Sequence, residues 1–283
     1  MNIALPAVLA ILSGAVAEGI VLYFLLSLLA ESGAVGKNYL GHDIPVSAGI
    51  SFPVSVILVF IVYMLFSRYE PSFSTYLTGI TAISFLGFID DMLGQRDTLG
   101  FKGHFGALFR GKLTTGGFKA LGGGFIALFM ALSLSSPGSL ASNWGNIIIN
   151  TLIIALFTNM LNLLDLRPGR ALKGYLFFLL LIIGLAAGEV NWLLLAPLLG
   201  AVLVYLPVDL KARAMMGDAG SNVLGLTLGY YSVIHLSWPC RIGVLIFLIA
   251  MHIYTEKYSL TRTIEKVPWL RAIDQLGRSN ENG

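Results

Sequence analysis

The sequence predicts an all-α protein: a polytopic transmembrane helical bundle of about nine spans, with its N-terminus outside and its C-terminus cytoplasmic. Three observations lead there. The 283 residues are 56% hydrophobic and only 12% charged, against about 25% charged in ordinary soluble domains, and the mean hydropathy is +0.81. Nine apolar runs have the length expected of membrane crossings. With nine spans and the N-terminus outside, sixteen Lys and Arg fall on the inside, leaving only Arg68 and Arg241 outside. Such an excess of inside cations orients membrane proteins.

The first run, about residues 3–30, has no basic segment before it and continues well past the cleavage-like Ala15-Val16-Ala17. It therefore reads as one long, uncleaved, tilted span. Glu18 within it is costly unless it faces a partner, and reads as protein-facing and neutral. Further spans are predicted near 46–66, 73–91, 118–135, 146–165, 172–188, 191–207, 219–236 and 239–255. Ser74, Thr78, Thr81 and Ser84 form a small hydroxyl stripe on the third span, suited to close helix packing. The longest inside loop, about 92–118, is rich in Gly and basic residues. Residues 1–255 thus form one transmembrane domain, and 256–283 a cytoplasmic amphipathic tail. In the tail Leu260, Ile264, Trp269, Leu270, Ile273 and Leu276 alternate with charges. That spacing predicts two short helices divided at Pro268, either on the membrane surface or packed on the cytoplasmic loops. The lone Cys240 excludes an internal disulfide and a cysteine metal cluster, and the four histidines lack ligand spacing.

Three acidic sites carry the candidate chemistry. Asp90 and Asp91 end the third span, and neighbours on a helix point about 100° apart, so the two suit different tasks, one at a metal and one at a proton or a basic group. Asn159, Asn162 and Asp165 recur every third residue in the fifth span. Helix–helix hydrogen bonding accounts for Asn159, whereas Asn162 and Asp165, nearer the surface, suit a ligand. Asp218 opens the eighth span between Gly217 and Gly220, with Ser221 next. A helix N-terminus attracts anions, and glycines admit close approach of backbone to ligand. The orientation chosen by charge alone puts all three sites on the cytoplasmic face. Together they suit Mg²⁺, which takes one or two carboxylates and completes its shell with water and phosphate oxygens. Lys102, Arg110, Lys112, Arg167, Arg170 and Lys211 are cations able to neutralise phosphate.

Four segments in this order resemble a known family: Ile44-Pro45-Val46-Ser47-Ala48-Gly49-Ile50, Gly87-Phe88-Ile89-Asp90-Asp91, Asn162-Leu163-Leu164-Asp165 and Met216-Gly217-Asp218-Ala219-Gly220-Ser221. The chain resembles the polyprenyl-phosphate N-acetylaminosugar-1-phosphate transferases (glycosyltransferase family 4), the superfamily of phospho-MurNAc-pentapeptide translocase and the GlcNAc-1-phosphate transferases. The resemblance implies a multi-pass plasma-membrane enzyme for envelope glycan biosynthesis. It would transfer a sugar-1-phosphate from a UDP-sugar to a polyprenyl (undecaprenyl) phosphate at the cytoplasmic face, with Mg²⁺, releasing UMP. It implies Asp90, Asp91 and Asp218 as catalytic residues, with Asp218 and Asp91 at the metal and Asp90 activating the lipid phosphate. By the same resemblance and the charge pattern, Asn162, Asp165, Lys102, Arg167, Arg170, Gly217 and Ser221 are expected to bind substrate. The expected partners are the lipid phosphate, the UDP-sugar, the membrane and a second copy of the chain as a homodimer, with no nucleic acid.

The chain departs from the family pattern on the nucleotide side. Where Asn-x-x-Asp-Gly-x-Asp-Gly is usual, Asp165 is followed by Leu166-Arg167-Pro168-Gly169, so Pro168 replaces the second Asp. Met215 stands where an aromatic often precedes Met-Gly-Asp, the late histidine-rich motif is absent, and nine spans replace the usual ten. Two readings follow: an active transferase with an altered donor side, or a non-catalytic relative that binds polyprenyl phosphate or acts as a scaffold in envelope assembly. A transporter finds little support, because only Glu18 is a mid-span carboxylate and no repeat of broken helices is visible.

Overall fold

Backbone in hydrocarbon must satisfy its own hydrogen bonds, which leaves an apolar chain of this composition helices as its spanning elements. The computed structural model describes residues 4–66, 71–94, 114–135, 140–186 and 190–278. Within these run nine long helices: α1 (Ala4–Glu31), α2 (Ser51–Phe66), α3 (Pro71–Leu93), α4 (Thr115–Ser133), α5 (Leu140–Leu164), α6 (Arg170–Leu185), α7 (Trp192–Leu210), α8 (Gly217–His235) and α9 (Trp238–Lys257). Two short helices follow, α10 (Leu260–Lys266) and α11 (Pro268–Gln275). A small antiparallel hairpin, β1 (Val35–Lys37) and β2 (Asp43–Pro45), leads into a 3-10 turn over Ala48–Ile50. The all-α, multi-pass bundle expected from the sequence is the fold observed.

Seven of the nine long helices are long and apolar enough to cross a membrane. The other two fall short for different reasons. Helix α6 has only 16 residues. Helix α8 carries Gly, Asn, Ser, Thr and Tyr, and it tolerates them because it is enclosed: every residue from Ala219 to Val233 is buried. It is the central post of the bundle, seeing protein rather than lipid. Helix α5 lies along it at a distance set by glycine, since a Cβ on Gly225 would strike the Phe157 carbonyl oxygen and one on Gly229 the Ile154 Cα. Small residues at such crossings let backbones meet closely in membranes. The α1–α7 crossing is made in the same way, by Gly14 against Pro197 and Gly200 against the Ile11 carbonyl.

Two readings of individual side chains are settled by packing. Glu18 is fully buried and faces protein, accepting hydrogen bonds from Ser51 Oγ at 2.5 Å and Ser55 Oγ at 2.7 Å. The hydroxyl stripe on α3 is not a packing seam. Ser84 is buried, but Thr78 and Thr81 face outward along a shallow apolar groove with Leu77, Ala82 and Phe85. The seam is instead made by Phe73, Tyr76, Ile80 and Ile83, whose three- and four-residue spacing keeps the larger apolar surface inward.

The tail forms two helices divided at Pro268, as its spacing predicts. Helix α11 turns its polar face to the protein. Its Asp274 carboxylate accepts two bonds from Arg170 at the start of α6, at 2.8 and 3.0 Å, and one from Arg278 at 2.7 Å. Trp269, Ile273 and Leu276 point outward, the two-faced arrangement of helices that lie at a membrane interface.

Two predictions follow from these contacts. Gly225→Val forces α5 away from α8 and is expected to cost about 1–3 kcal/mol or more, read as a lower temperature of unfolding in detergent. The second concerns acid. Burial works to raise the Asp274 carboxyl, but the bonds and charge of Arg170, reinforced by Arg278, outweigh it and hold the group below its ordinary value. A carboxyl so lowered binds its proton more weakly in the folded than in the unfolded chain, so its contribution is complete above the ordinary value and fades as pH falls below it. Trp269 fluorescence should therefore report a tail docked from neutral pH down through the ordinary carboxylate range, with release only as pH falls below it.

Candidate active site

The carboxylates singled out in the sequence meet at one end of the bundle, around the N-terminus of α8. A helix begins with backbone N–H groups that have no partner within the helix, and Met216, at the capping position, supplies no side-chain acceptor. Carboxylates from other helices supply them instead. Asp91, in the last turn of α3, accepts from Asp218 N at 3.0 Å through Oδ1 and from Ala219 N at 3.2 Å through Oδ2. Asp165, just past α5, accepts from Gly217 N. The anion-binding end of α8 is thus filled by the protein's own carboxylates.

The approach is close, and glycines permit it. Gly217 has φ +69°, and a Cβ there would run into the Asp91 carboxylate. A Cβ on Gly87 would strike the Asp218 carbonyl, and one on Gly49 would strike Gly220. The segment before α2 fastens the same corner. Ala48 N and Gly49 N each donate at 3.0 Å to the carbonyls of Met215 and Met216, and Met215 N donates to Pro45 O at 2.8 Å. Ser47, buried and in the left-handed region at φ 60°, donates to Asp91 Oδ2 at 2.6 Å.

On the other side of the corner stand Asp90 and Asp218, both about four-fifths buried, with Lys119 of α4 between them. Its Nζ lies 3.5 Å from Asp90 Oδ2 and donates to Asp218 Oδ2. Asn162 also bonds the Asp218 side chain, and its Nδ2 reaches Asn222 Oδ1 at 3.3 Å. The adjacent aspartates therefore divide as their helical angle suggests. Asp91 points at backbone N–H groups and a hydroxyl, whereas Asp90 points at a cation. Among the described residues, no three His, Cys, Asp or Glu side chains converge to cage a metal. Two carboxylates flanking one ammonium do form a place where positive charge is held.

The remaining expected residues are distributed as follows. Gly217 belongs to the corner. Ser221 is fully buried beneath it, and its Oγ meets no hydrogen-bonding partner. Arg167 lies over the Tyr39 ring at 5.9 Å from the centroid. Arg170 is buried and committed to Asp274 and Thr261, so it is not brought to the carboxylates. Lys102, with Arg110 and Lys112, lies outside the described residues.

Three site residues escape a reading of the sequence. Lys119 counts there as one more inside cation, Ser47 stands in the 44–50 segment of the resemblance but receives no role of its own, and Asp209 closes α7 without any motif. Asp209 is buried beside Asp165, its Oδ2 accepting from Gly169 N at 2.7 Å. Its signal was available in outline, because it is a fifth carboxylate, making a fourth acidic site, just past the same end of a predicted span.

The fold and this corner together define a multi-pass helical membrane protein in which acidic residues from separate helices gather with a lysine at one end. The chain belongs to glycosyl transferase family 4, whose sequence profile matches residues 73–236, and thereby to the polyprenyl-phosphate sugar-phosphate transferases. The match begins in α3 and ends just beyond α8, so it includes Asp90, Asp91, Asp165 and Asp218 and leaves out the Ser47 segment and the tail. No curated protein matches the chain.

Because Asp91 caps α8 from a neighbouring helix, Asp91→Ala is expected to cost at least the roughly 0.5–2 kcal/mol of an ordinary cap. The measurement is thermal unfolding in detergent. Asp90→Ala, which strips a carboxylate from the ammonium side alone, should change stability less.

Proposed function

We propose that this protein transfers a sugar-1-phosphate from a UDP-sugar to a polyprenyl phosphate at the cytoplasmic face of the cell membrane, releasing UMP. An oxygen of the lipid phosphate attacks the phosphorus next to the sugar, a new P–O–P link forms, and the bond to UMP breaks. The observation that carries this reading is the convergence of Asp90 and Asp218 on Lys119, beside a helix N-terminus already capped by Asp91 and Asp165.

In this reading Lys119 binds phosphate oxygens, and Asp90 accepts a proton from, or orients, the attacking lipid phosphate. Asn162 and Asp165 face the nucleotide side. Mg²⁺ fits the donor set, because it commonly takes only one or two protein carboxylates and leaves the rest of its shell to water and phosphate. Asp218 and Asp90 would hold it, where it would neutralise the diphosphate. Asp91, expected from the sequence to be a ligand as well, acts as a buttress: its oxygens already receive Ser47, Asp218 N and Ala219 N. The membrane setting supports the pairing of substrates, since a long lipid acceptor reaches the site laterally and a soluble donor reaches it from water.

The test is UMP release from a panel of UDP-sugars by purified protein with undecaprenyl phosphate and Mg²⁺. Release is expected for at least one donor. It should be abolished by chelation, fall at least about 10²-fold in Asp218→Asn, the scale seen on removing an electrostatic stabiliser of a transition state, and fall comparably in Lys119→Met. No release by wild-type protein that still binds the lipid phosphate would overturn the transferase in favour of a lipid-phosphate binding protein.

A further inference from the structure

We infer that helix α11 is a clamp that sets the position of Asp165 through Arg170 and the Pro168–Gly169 turn, making Asp274 a positioning residue of the site; its bearing on catalysis rests on the transfer reaction proposed above. The turn from Asp165 to Arg170 has a few backbone bonds of its own. Asp165 N reaches back to Asn162 O at 3.0 Å, Leu166 N to Leu164 O at 2.8 Å and Arg170 N to Arg167 O at 3.2 Å, and Gly169 O accepts from Lys173 N at 3.0 Å. Gly169 is left-handed at φ +73°. Side chains from α7 and the tail add to these.

Asp209 of α7 takes Gly169 N, and the tail supplies the other bonds. Arg278 Nε donates to Pro168 O at 2.8 Å while its Nη2 donates to Asp274 at 2.7 Å. Asp274 in turn grips Arg170 through both oxygens, in a pair whose side chains are only 5% and 8% exposed. Arg170 Nη1 donates to Thr261 of α10 at 2.9 Å. Lys173 Nζ donates to the carbonyls of Ile273 and Asp274 at 2.9 and 2.8 Å, meeting the negative end of α11. Gly277, at φ +75°, and Gly169 both pack on Leu210, so the tail, the turn and the end of α7 share one apolar contact.

These bonds reassign the basic residues after Asp165. Arg170 and Lys173 have their donors taken up by the tail, and neither is left facing the carboxylates. Among the described residues, the hydrogen bonds that α11 and Arg278 make outside the tail go to the 168–173 segment, on the Asp165 side. Asp90, Lys119 and Asp218 sit on α3, α4 and α8, so loosening the tail should disturb the nucleotide side of the site and spare the lipid-phosphate side.

The experiment compares wild type, Asp274→Asn and Asp274→Glu by backbone hydrogen exchange, which reports local opening, and by transfer kinetics. Asp274→Asn is expected to raise exchange in the 165–170 segment at least about tenfold without changing α8. It should raise KM for the UDP-sugar at least about tenfold and leave KM for polyprenyl phosphate unchanged, and Asp274→Glu should return both quantities toward wild type. Unchanged exchange at 165–170 overturns the clamp. Raised exchange with an unchanged KM for the UDP-sugar overturns the positioning role and leaves a plain anchor, and lost protection extending into α8 overturns it in favour of a folding role. If wild type transfers from no donor, the reaction proposed above falls by itself. Exchange at 165–170 then decides the clamp alone, raised in its favour and unchanged against it.

Discussion

The bonding of Asp91 and Asp165 to the first N–H groups of α8 is the interaction on which the rest of this end of the molecule depends. A buried helix end with orphan donors costs the full desolvation of each group, and α8 is buried almost throughout. Its N-terminus must therefore be met by acceptors, and here they arrive from α3 and from the end of α5. Once those two helices are drawn to one point, the glycines at 49, 87, 217 and 220 become geometrically necessary, because any Cβ at these positions meets backbone or side chain. The Ser47 segment then seals the corner from a third direction.

That arrangement separates structural from chemical charge. Asp91 and Asp165 are spent on backbone, which leaves Asp90 and Asp218 to face Lys119. The first N–H groups of α8 are already taken by carboxylates, so in the proposed reaction Lys119 is the described cation placed to meet charge on a substrate. Family membership supports a sugar-phosphate transferase kind of function, and the proposed reaction would use the carboxylates and the lysine that this geometry brings together.

The basic residues are divided by the same economy of partners. Arg167, Arg170 and Lys173 follow Asp165 closely enough to look like one phosphate-binding run, yet Arg170 and Lys173 hold the tail. Arg suits such a buried role, because its planar fork matches a carboxylate with two parallel bonds. The outward face of α11 carries the exposed Trp269, Ile273 and Leu276, while its polar face makes the bonds to α6 and the turn before it.

Most of the fold was legible because spanning is a local property: each apolar run must solve its backbone hydrogen bonding alone, whatever its neighbours are. The predicted 73–91 and 219–236 runs are found as the helices Pro71–Leu93 and Gly217–His235, the first apolar enough to span and the second enclosed by protein instead. The 46–66 span begins later, at Ser51, because residues 45–49 are occupied with Met215 and Met216. Asn159 makes the helix–helix bond expected of it, to His252 at 3.0 Å. The meeting of Asp90, Asp91, Asp165 and Asp218 at one end was also legible, because charge sets orientation and orientation sets which ends coincide. Which carboxylate receives a backbone N–H, which receives Lys119, and which arginine is consumed by the tail could only be decided in three dimensions. Those outcomes turn on the rotation of each helix about its axis and on contacts between residues far apart in the chain, such as Asp91 with Ala219 and Arg170 with Asp274. By itself the sequence determined the helical, multi-pass class of the fold and the residues available for chemistry; the tertiary structure assigned each of those residues its partner, because hydrogen bonding is settled by distance and direction rather than by residue type.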